Sequence, residues 1–519
     1  MMRKAVLVAF AALLLFPAAH LFADDDSADE KTQEKSQYSK AGESDVPAQK
    51  RPRAGNADEI RDLDNTDPDG RKKNADILKF GLEDEVVELL GKMAEKKDVR
   101  FVDEAYDLYE ESKSSAVKEK IMEFFRTMGD PCLEDYAVMI LNDPFDEPTS
   151  TVNAAFAYLG EMKTTAAIPA VESLLEGDNE KFYDSAITAL GKIGGSDEAM
   201  YLAEYFDREE LTLPQKQNLV KTLGLLKASE TFDKLSEMAQ DDDENTFVRM
   251  YASEAIGQIG ASDSSRREDS LSILSSVFES RDPNLRTYVV KGLSNFTPSD
   301  VGDIIIQALK DSHPKVRLEA VDSVKKMGLS SAVPYLVYRA KNDPEYSVKK
   351  ACWPVIAELN TPEGNEYLVS QITEKKKVGD DTKARVATAL LEFNNAGTKE
   401  IIALAEEVLK DDHRKPLRYA LGKEFAKYGR SEFEEICRLY MGNKDVSTQG
   451  TGLDIYAKGR YSSLTPEVQK LADLAGKDKK KSNANAIKAA KILGIDWEAK
   501  LAAENASKKD AQGGAQDSK

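Results

Sequence analysis

The chain repeats itself. Runs of the type Ala-Leu-Gly-Lys-Ile recur along most of its length, and the residue after each run serves as an anchor. The anchors are Gly129, Gly160, Gly194, Lys227, Gly260, Thr297, Gly328, Asn360, Asn394, Gly429, Gly459 and Gly494. Successive anchors lie about 33 residues apart, a period that belongs to arrays of helix pairs. Four residues before the anchors stand Phe125, Phe156, Leu190, Leu223, Ile256, Leu293, Val324, Ile356, Leu390, Phe425, Ile455 and Ala490, all apolar. Eight before them runs a second such column, from Ile121 and Val152 to Val386 and Leu421, broken by Thr451. One before them a third column is apolar except at Lys458. These offsets fall on one face of a helix, the buried stripe of the first helix in each unit.

Eight residues after the anchors comes another apolar column, Ala137, Ile168, Leu202, Leu235, Ile305, Leu336, Leu368, Ile402 and Cys437, which belongs to a second helix. Neither helix can hide its apolar face alone, so neighbouring units must cover each other. The pattern predicts an all-α fold, a right-handed α-solenoid of about twelve stacked helix pairs, with a concave surface expected to be lined by second helices. Gly at many anchors suits a helix end that needs a left-handed residue. Asp143, Asp243, Asp311, Asp343 and Asp412 recur in the loops before first helices, and Lys118, Lys216, Arg249, Arg286, Arg317, Lys349, Lys383 and Arg418 recur in their first turns. Asp at a helix start accepts backbone N–H groups, and the two columns predict a ladder of loop Asp against first-turn Arg or Lys.

These columns resemble the HEAT repeat, specifically the short type also seen in phycobilin lyase subunits. The resemblance is carried by Val316-Arg317, Ala320-Val321, Val324, Met327-Gly328, Ala332-Val333-Pro334 and Leu336, and by Ala189-Leu190-Gly191-Lys192-Ile193-Gly194. It covers most of 77–497 and implies a scaffold fold whose members serve chiefly as binding surfaces and occasionally as enzymes.

Outside the repeats the chain changes character. Met1 to Ala23 has a short basic start at Arg3-Lys4, an apolar core from Ala5 to Phe16, and small residues before an acidic run, which is the pattern of a secretory signal peptide. Residues 24–74 are rich in charge and poor in large apolar side chains, which predicts a disordered acidic linker. The repeat body is placed at 75–497, and 498–519 is predicted to be a disordered tail. The expected location is extracytoplasmic, a bacterial periplasm first and secretion second.

The inventory of reactive groups is thin. The chain has 519 residues, 3 His and 3 Cys, with a net charge of −20. The acidic balance excludes a broad nucleic-acid surface, which needs clustered positive charge. His313 and His413 sit in inter-unit loops without a neighbouring Glu, so the paired His-Glu ligands of HEAT-like di-iron enzymes are missing. Cys352 and Cys437 occupy core columns and Cys132 follows Pro131, which reads as three small buried hydrophobes. Asn65 to Asp76 loosely matches a calcium loop, but Arg71, Lys72 and Lys73 place positive charge inside it, so a solvated turn is the better reading. Asp241 to Glu244 reads as a solvated loop. Lys477 to Lys481 and Arg414 to Arg418 are local basic spots, read as solvated helix ends before anionic-lipid contacts.

No catalytic, cofactor-binding or metal residue is predicted, and no binding residue can be named from the pattern. The function expected is a non-enzymatic extracytoplasmic scaffold or adaptor that binds protein partners, without nucleic acid and without a membrane anchor after signal cleavage. An enzyme subunit with a cleft between repeats, and an envelope-surface binder, are the alternatives.

Overall fold

The computed structural model describes residues 51–67, 70–177, 180–206, 211–476 and 484–503. The predicted signal segment, residues 24–50 of the linker, Lys477–Lys481 and residues 504–519 lie outside them. Among the described residues the regular structure is helical throughout. From Glu83 onward helices alternate as first and second members of pairs, so the chain is an α-solenoid. One pair begins with Pro314–Met327 and continues through the 3₁₀ turn Ser330–Ala332 into Val333–Asn342. The same join recurs at Thr165–Ala167 and Ser462–Leu464. There Pro169, Pro334 and Pro466 stand in the first turn of the second helix, where a missing N–H costs nothing.

All twelve residues of the column four before the anchors are buried. So are Ala137, Leu202, Leu235, Ile305, Leu336, Leu368 and Cys437 of the second-helix column, while its Ile168 and Ile402 are half-buried against the core. The core is one continuous cluster from Leu78 to Ala490. A further pair precedes those the anchors mark. Its first helix, Glu83–Lys96, ends at a left-handed Lys97, with Leu89 and Met93 buried at the expected offsets.

The left-handed helix end appears at Gly129, Gly328, Gly429 and Gly494, but Lys227 and Asn360 adopt it as well. Gly160 and Gly260 instead lie inside helices that run on to Met162 and Ser262. Thr297 opens the helix Pro298–Ala308 rather than closing one.

Where first helices cross, glycine lets them approach closely. A Cβ on Gly257 would stand 2.4 Å from the Gly292 carbonyl of the next first helix. A Cβ on Gly292 would stand 2.7 Å from the Ser253 carbonyl. Successive first helices touch along most of their length, while successive second helices touch sparsely.

The ladder of acids and bases forms, with its fullest geometry at the middle of the array. Arg286 Nε and Nη2 each donate to the Asp311 carboxylate at 2.8 Å, while Nη1 donates to the carbonyls of Ser280 and Arg281. Arg317 repeats this with Asp343 at 2.8 and 2.7 Å and with the carbonyls of Asp311 and Ser312. Each Asp also accepts a backbone N–H at the start of its own helix, from His313 and from Glu345. One arginine thus ties the end of the preceding second helix to the loop of the following unit. Elsewhere the pattern shifts. Arg249 pairs with Asp242 rather than Asp243, and Lys216 with Glu244. Lys349 and Lys383 reach carbonyls only, those of Lys341 and Ile372. Arg418 is fully buried and holds the Val408 and Asp411 carbonyls and Asp412.

The linker prediction fails over 57–66 and 70–74. Helices Ala57–Thr66 and Gly70–Phe80 form there. Asn56 accepts the N–H groups of Asp58 and Glu59, and Glu59 reaches back to the Asn56 N–H. The side chain of Arg100 is buried, and it draws Asp64 to 3.1 Å and the Asp67 carbonyl to 3.3 Å. Charged anchors, rather than an apolar core, order this segment. The tail prediction also fails at its start, because 497–503 is helical. Trp497 and Leu501, one turn apart, pack at Gly476.

Burial is the largest influence on Asp311 and Asp343 and opposes their ionisation, but the arginine hydrogen bonds, the backbone N–H groups of His313 and Glu345 and the arginine charges together outweigh it and hold both carboxyls below the usual range. A depressed carboxylate contributes stability above its unfolded value, about 3.9, and loses it as pH falls through the lower folded value. The central repeats are therefore expected to loosen only in strong acid, followed by hydrogen exchange from pH 7 to pH 2. Arg317→Ala leaves Asp343 buried without its bidentate partner and is expected to destabilise those repeats by about 3–5 kcal/mol. Arg317→Ala/Asp343→Ala should lose less, as read by urea denaturation. Gly257→Ala gains about 1 kcal/mol of helix propensity. A net loss of stability in that variant would show the close crossing outweighing it.

Candidate interaction surface

The exposed side of the first-helix layer is set by three further offsets: nine, six and two residues before the anchors. On Thr246–Ser262 these are Tyr251, Glu254 and Gln258. On and just after Pro283–Leu293 they are Tyr288, Lys291 and Asn295, and on Pro314–Met327 they are Glu319, Asp322 and Lys326. Spacings of three and four place each trio on one helix face, and stacking sets the trios side by side.

Tyr251 and Tyr288 meet edge to face, 5.5 Å between ring centroids at 83°. Lys291 spans from above the Tyr288 ring to Glu254, 2.9 Å away. The other Glu254 oxygen, Oε2, is buried without a hydrogen-bond partner. Lys326 donates to Asn295 Oδ1 at 2.8 Å and to Ser294 Oγ at 3.2 Å. Lys325 pairs with Glu358 at 3.2 Å and lies over the Phe393 ring.

Electrostatically the patch is partly dehydrated. Burial, reinforced by Asp322 and Glu254, raises the Glu319 carboxyl above its ordinary value despite Lys291 and Lys326. Burial raises Asp322 and lowers Lys326. The two tyrosine rings thus lie beside a buried Glu254, half-buried Lys291 and Glu319, and exposed Asp322 and Lys326.

Toward the N-terminal end the same face opens into a groove of about 460 Å³ beside Glu119, Lys120, Glu123, Arg126 and Asn153. The enzyme alternative calls for free ionisable groups converging in such a cleft. Here Glu119 accepts from Thr151 at 2.7 Å and Glu123 pairs with Lys120 at 2.5 Å.

The residues singled out from sequence are dispersed. Cys132, Cys352 and Cys437 are buried and unpaired. Burial pushes the Cys352 and Cys437 thiols up to about 12. His313 Nδ1 accepts the Lys315 N–H at the start of its helix, and the His413 N–H donates to Asp411. Within Asn65–Asp76, Asp67 lies 3.6 Å from Arg100, and Gly70 already begins a helix. The side chains of Asn65 and Asp69 lie outside the described residues. Among the described residues no group of three or more His, Cys, Asp or Glu could hold a metal ion. No described helix is long and apolar enough to cross a membrane.

The Asp241–Asp243 loop is exposed, as expected of a solvated loop, although it also carries ion pairs; the Arg414–Arg418 cluster is engaged rather than solvated. Asp242 and Glu244 hold Arg249 and Lys216. Arg414 lies 2.7 Å from both Asp380 and Glu407, Lys415 lies 2.8 Å from Asp445, and Arg418 is buried. The sequence reading missed the Tyr251–Tyr288 patch. Its signal was the set of polar and aromatic offsets flanking the apolar columns.

At neutral pH the ionised Glu319 opposes folding, because its folded value is raised. Its penalty disappears as pH falls and the carboxyl protonates. Glu319→Gln is expected to raise stability at pH 7 by about 0.5–2 kcal/mol, the range of surface-charge optimisation. The gain should shrink toward pH 4 in parallel urea titrations.

The sequence model of the family described as Spirochaete HEAT repeat protein matches residues 78–492. No curated protein matches. Solved structures similar to the chain include YibA of E. coli, at 18% identity and a TM-score of 0.34, covering 49% of this chain and 91% of that one. Kap121p bound to Nup53p gives 12% and 0.37, covering 84% of this chain and 55% of that one, so the chain spans about half of Kap121p. The complex of CpcE and CpcF of phycocyanin lyase from Nostoc sp. PCC7120 gives 16% and 0.27, covering 53% and 94%.

Proposed function

This chain belongs to the Spirochaete HEAT repeat protein family, and from that premise we propose that it is a non-enzymatic extracytoplasmic scaffold that binds protein partners on its first-helix face. The observation that carries the binding reading is the Tyr251–Tyr288 pair set among Glu254, Lys291, Glu319 and Lys326. Large rigid tyrosine rings are among the residue types that dominate binding energy at protein interfaces. A stacked array is suited to this work, because its side chains recur at fixed spacing along an extended surface. Support for export comes from the basic start, apolar core and small residues of Met1–Ala23. Support for the absence of catalysis comes from an inventory without His-Glu pairs and from carboxylates already held by neighbours.

Affinity capture from envelope extracts, with the two faces altered separately, tests this reading. Tyr251→Ala/Tyr288→Ala is expected to reduce recovery of a specific protein about tenfold or more. Tyr338→Ala, on the exposed side of a second helix, should leave recovery unchanged. Equal recovery by both variants, with unchanged melting curves, would remove the first-helix face as the binding surface. Release of the protein by osmotic shock without detergent checks its location.

A further inference from the structure

Lys458 is the polar residue in the otherwise apolar column immediately before the anchors. Its side chain is exposed, whereas the apolar members of the column are buried or half-buried. Its partner comes from the far end of the chain. Lys458 Nζ stands 2.6 Å from Asp62 Oδ2, 396 residues earlier.

Both halves of this contact are rooted in folded structure. Asp62 lies on Ala57–Thr66, a capped helix fastened to the first repeat pair by Asp64 against buried Arg100 and by Gly55 against Val99. The segment before it is tied down as well. Arg51 pairs with Asp107 at 2.9 Å, and the Arg53 N–H donates to Asp130 at 2.6 Å. Lys458 stands at the end of Val446–Gly459, its stem against Gly429 of the preceding unit. The helix carrying Asp62 therefore bridges the first and the penultimate first-helix units of the array.

We propose that Asp62 and Lys458 form a clasp that closes the repeat array end to end, and that the array opens when the clasp is released. The strength of the contact fits such a device. Its two side chains are 41% and 39% exposed, so salt screens the attraction and water competes for both groups. The arginine clasps inside the array are buried and hold through conditions that release this one. The inference does not require the binding reading above, since closure can be measured without a partner.

The test is zero-length carbodiimide coupling on the full chain at low protein concentration. This reagent joins a carboxylate to an amine already in contact. Mass spectrometry is expected to find an Asp62–Lys458 link within single chains at low ionic strength, reduced severalfold in high salt and absent in Asp62→Asn. In X-ray scattering, Asp62→Lys should enlarge the radius of gyration, and Asp62→Lys/Lys458→Asp should restore it. Circular dichroism confirms that the variants are folded. Absence of the link at low salt, its appearance only between chains, or one radius of gyration for wild type and both variants would each overturn the proposal.

Discussion

Each helix carries an apolar stripe wider than its hairpin partner can cover, so burial must be completed by the next unit. That constraint makes the core continuous from Leu78 to Ala490 instead of dividing it into separate globules. It also makes stability a matter of neighbours. A unit with weak internal packing persists if the units on either side present matching faces. The glycine crossings show how closely the first-helix layer meets this demand. At Gly257 and Gly292 the backbones themselves are in contact, and no side chain is left to adjust.

Burial alone does not fix the orientation of one pair on the next, because apolar contact is weakly directional. The arginine clasps supply direction. Arg286 and Arg317 each reach backward to loop carbonyls and forward to an Asp that also starts the next helix. Because each Asp is buried and doubly engaged, a unit docked in the wrong register would strand a charge. Such a pair acts less as a reservoir of stability than as a penalty on misalignment. The surface patch of Tyr251, Tyr288 and Lys291 depends on this alignment, since it is assembled from helices of neighbouring units.

The repeat was legible because its signal is periodic. Twelve apolar residues at one offset predicted twelve buried positions, and all twelve are buried. The Asp and Arg columns were legible for the same reason, at Arg286–Asp311 and Arg317–Asp343. What escaped was aperiodic. The helix Ala57–Thr66 has few apolar residues and is ordered by caps and by the demands of Arg100, which counting hydrophobic residues does not register. The anchor of the first repeat pair escaped, although the pair lies within the predicted repeat body, because Lys96 and Lys97 replace the expected apolar residue and anchor. Tyr251 and Tyr288 escaped because no fixed residue type marks the exposed offsets. Lys458 stood out in its column, yet nothing local in the sequence indicates a partner at Asp62.

The uneven distribution of the clasps has a mechanical consequence. Bidentate arginine joints lie at the centre, whereas Lys349 and Lys383 make their joints through single carbonyl contacts. Under tension a lysine joint gives way before an arginine joint, since one flexible donor lets go where a planar fork does not. Stiffness is therefore expected to vary along the array, with the joints at Lys349 and Lys383 yielding before the arginine joints at Arg286 and Arg317 and the buried Arg418 beyond them.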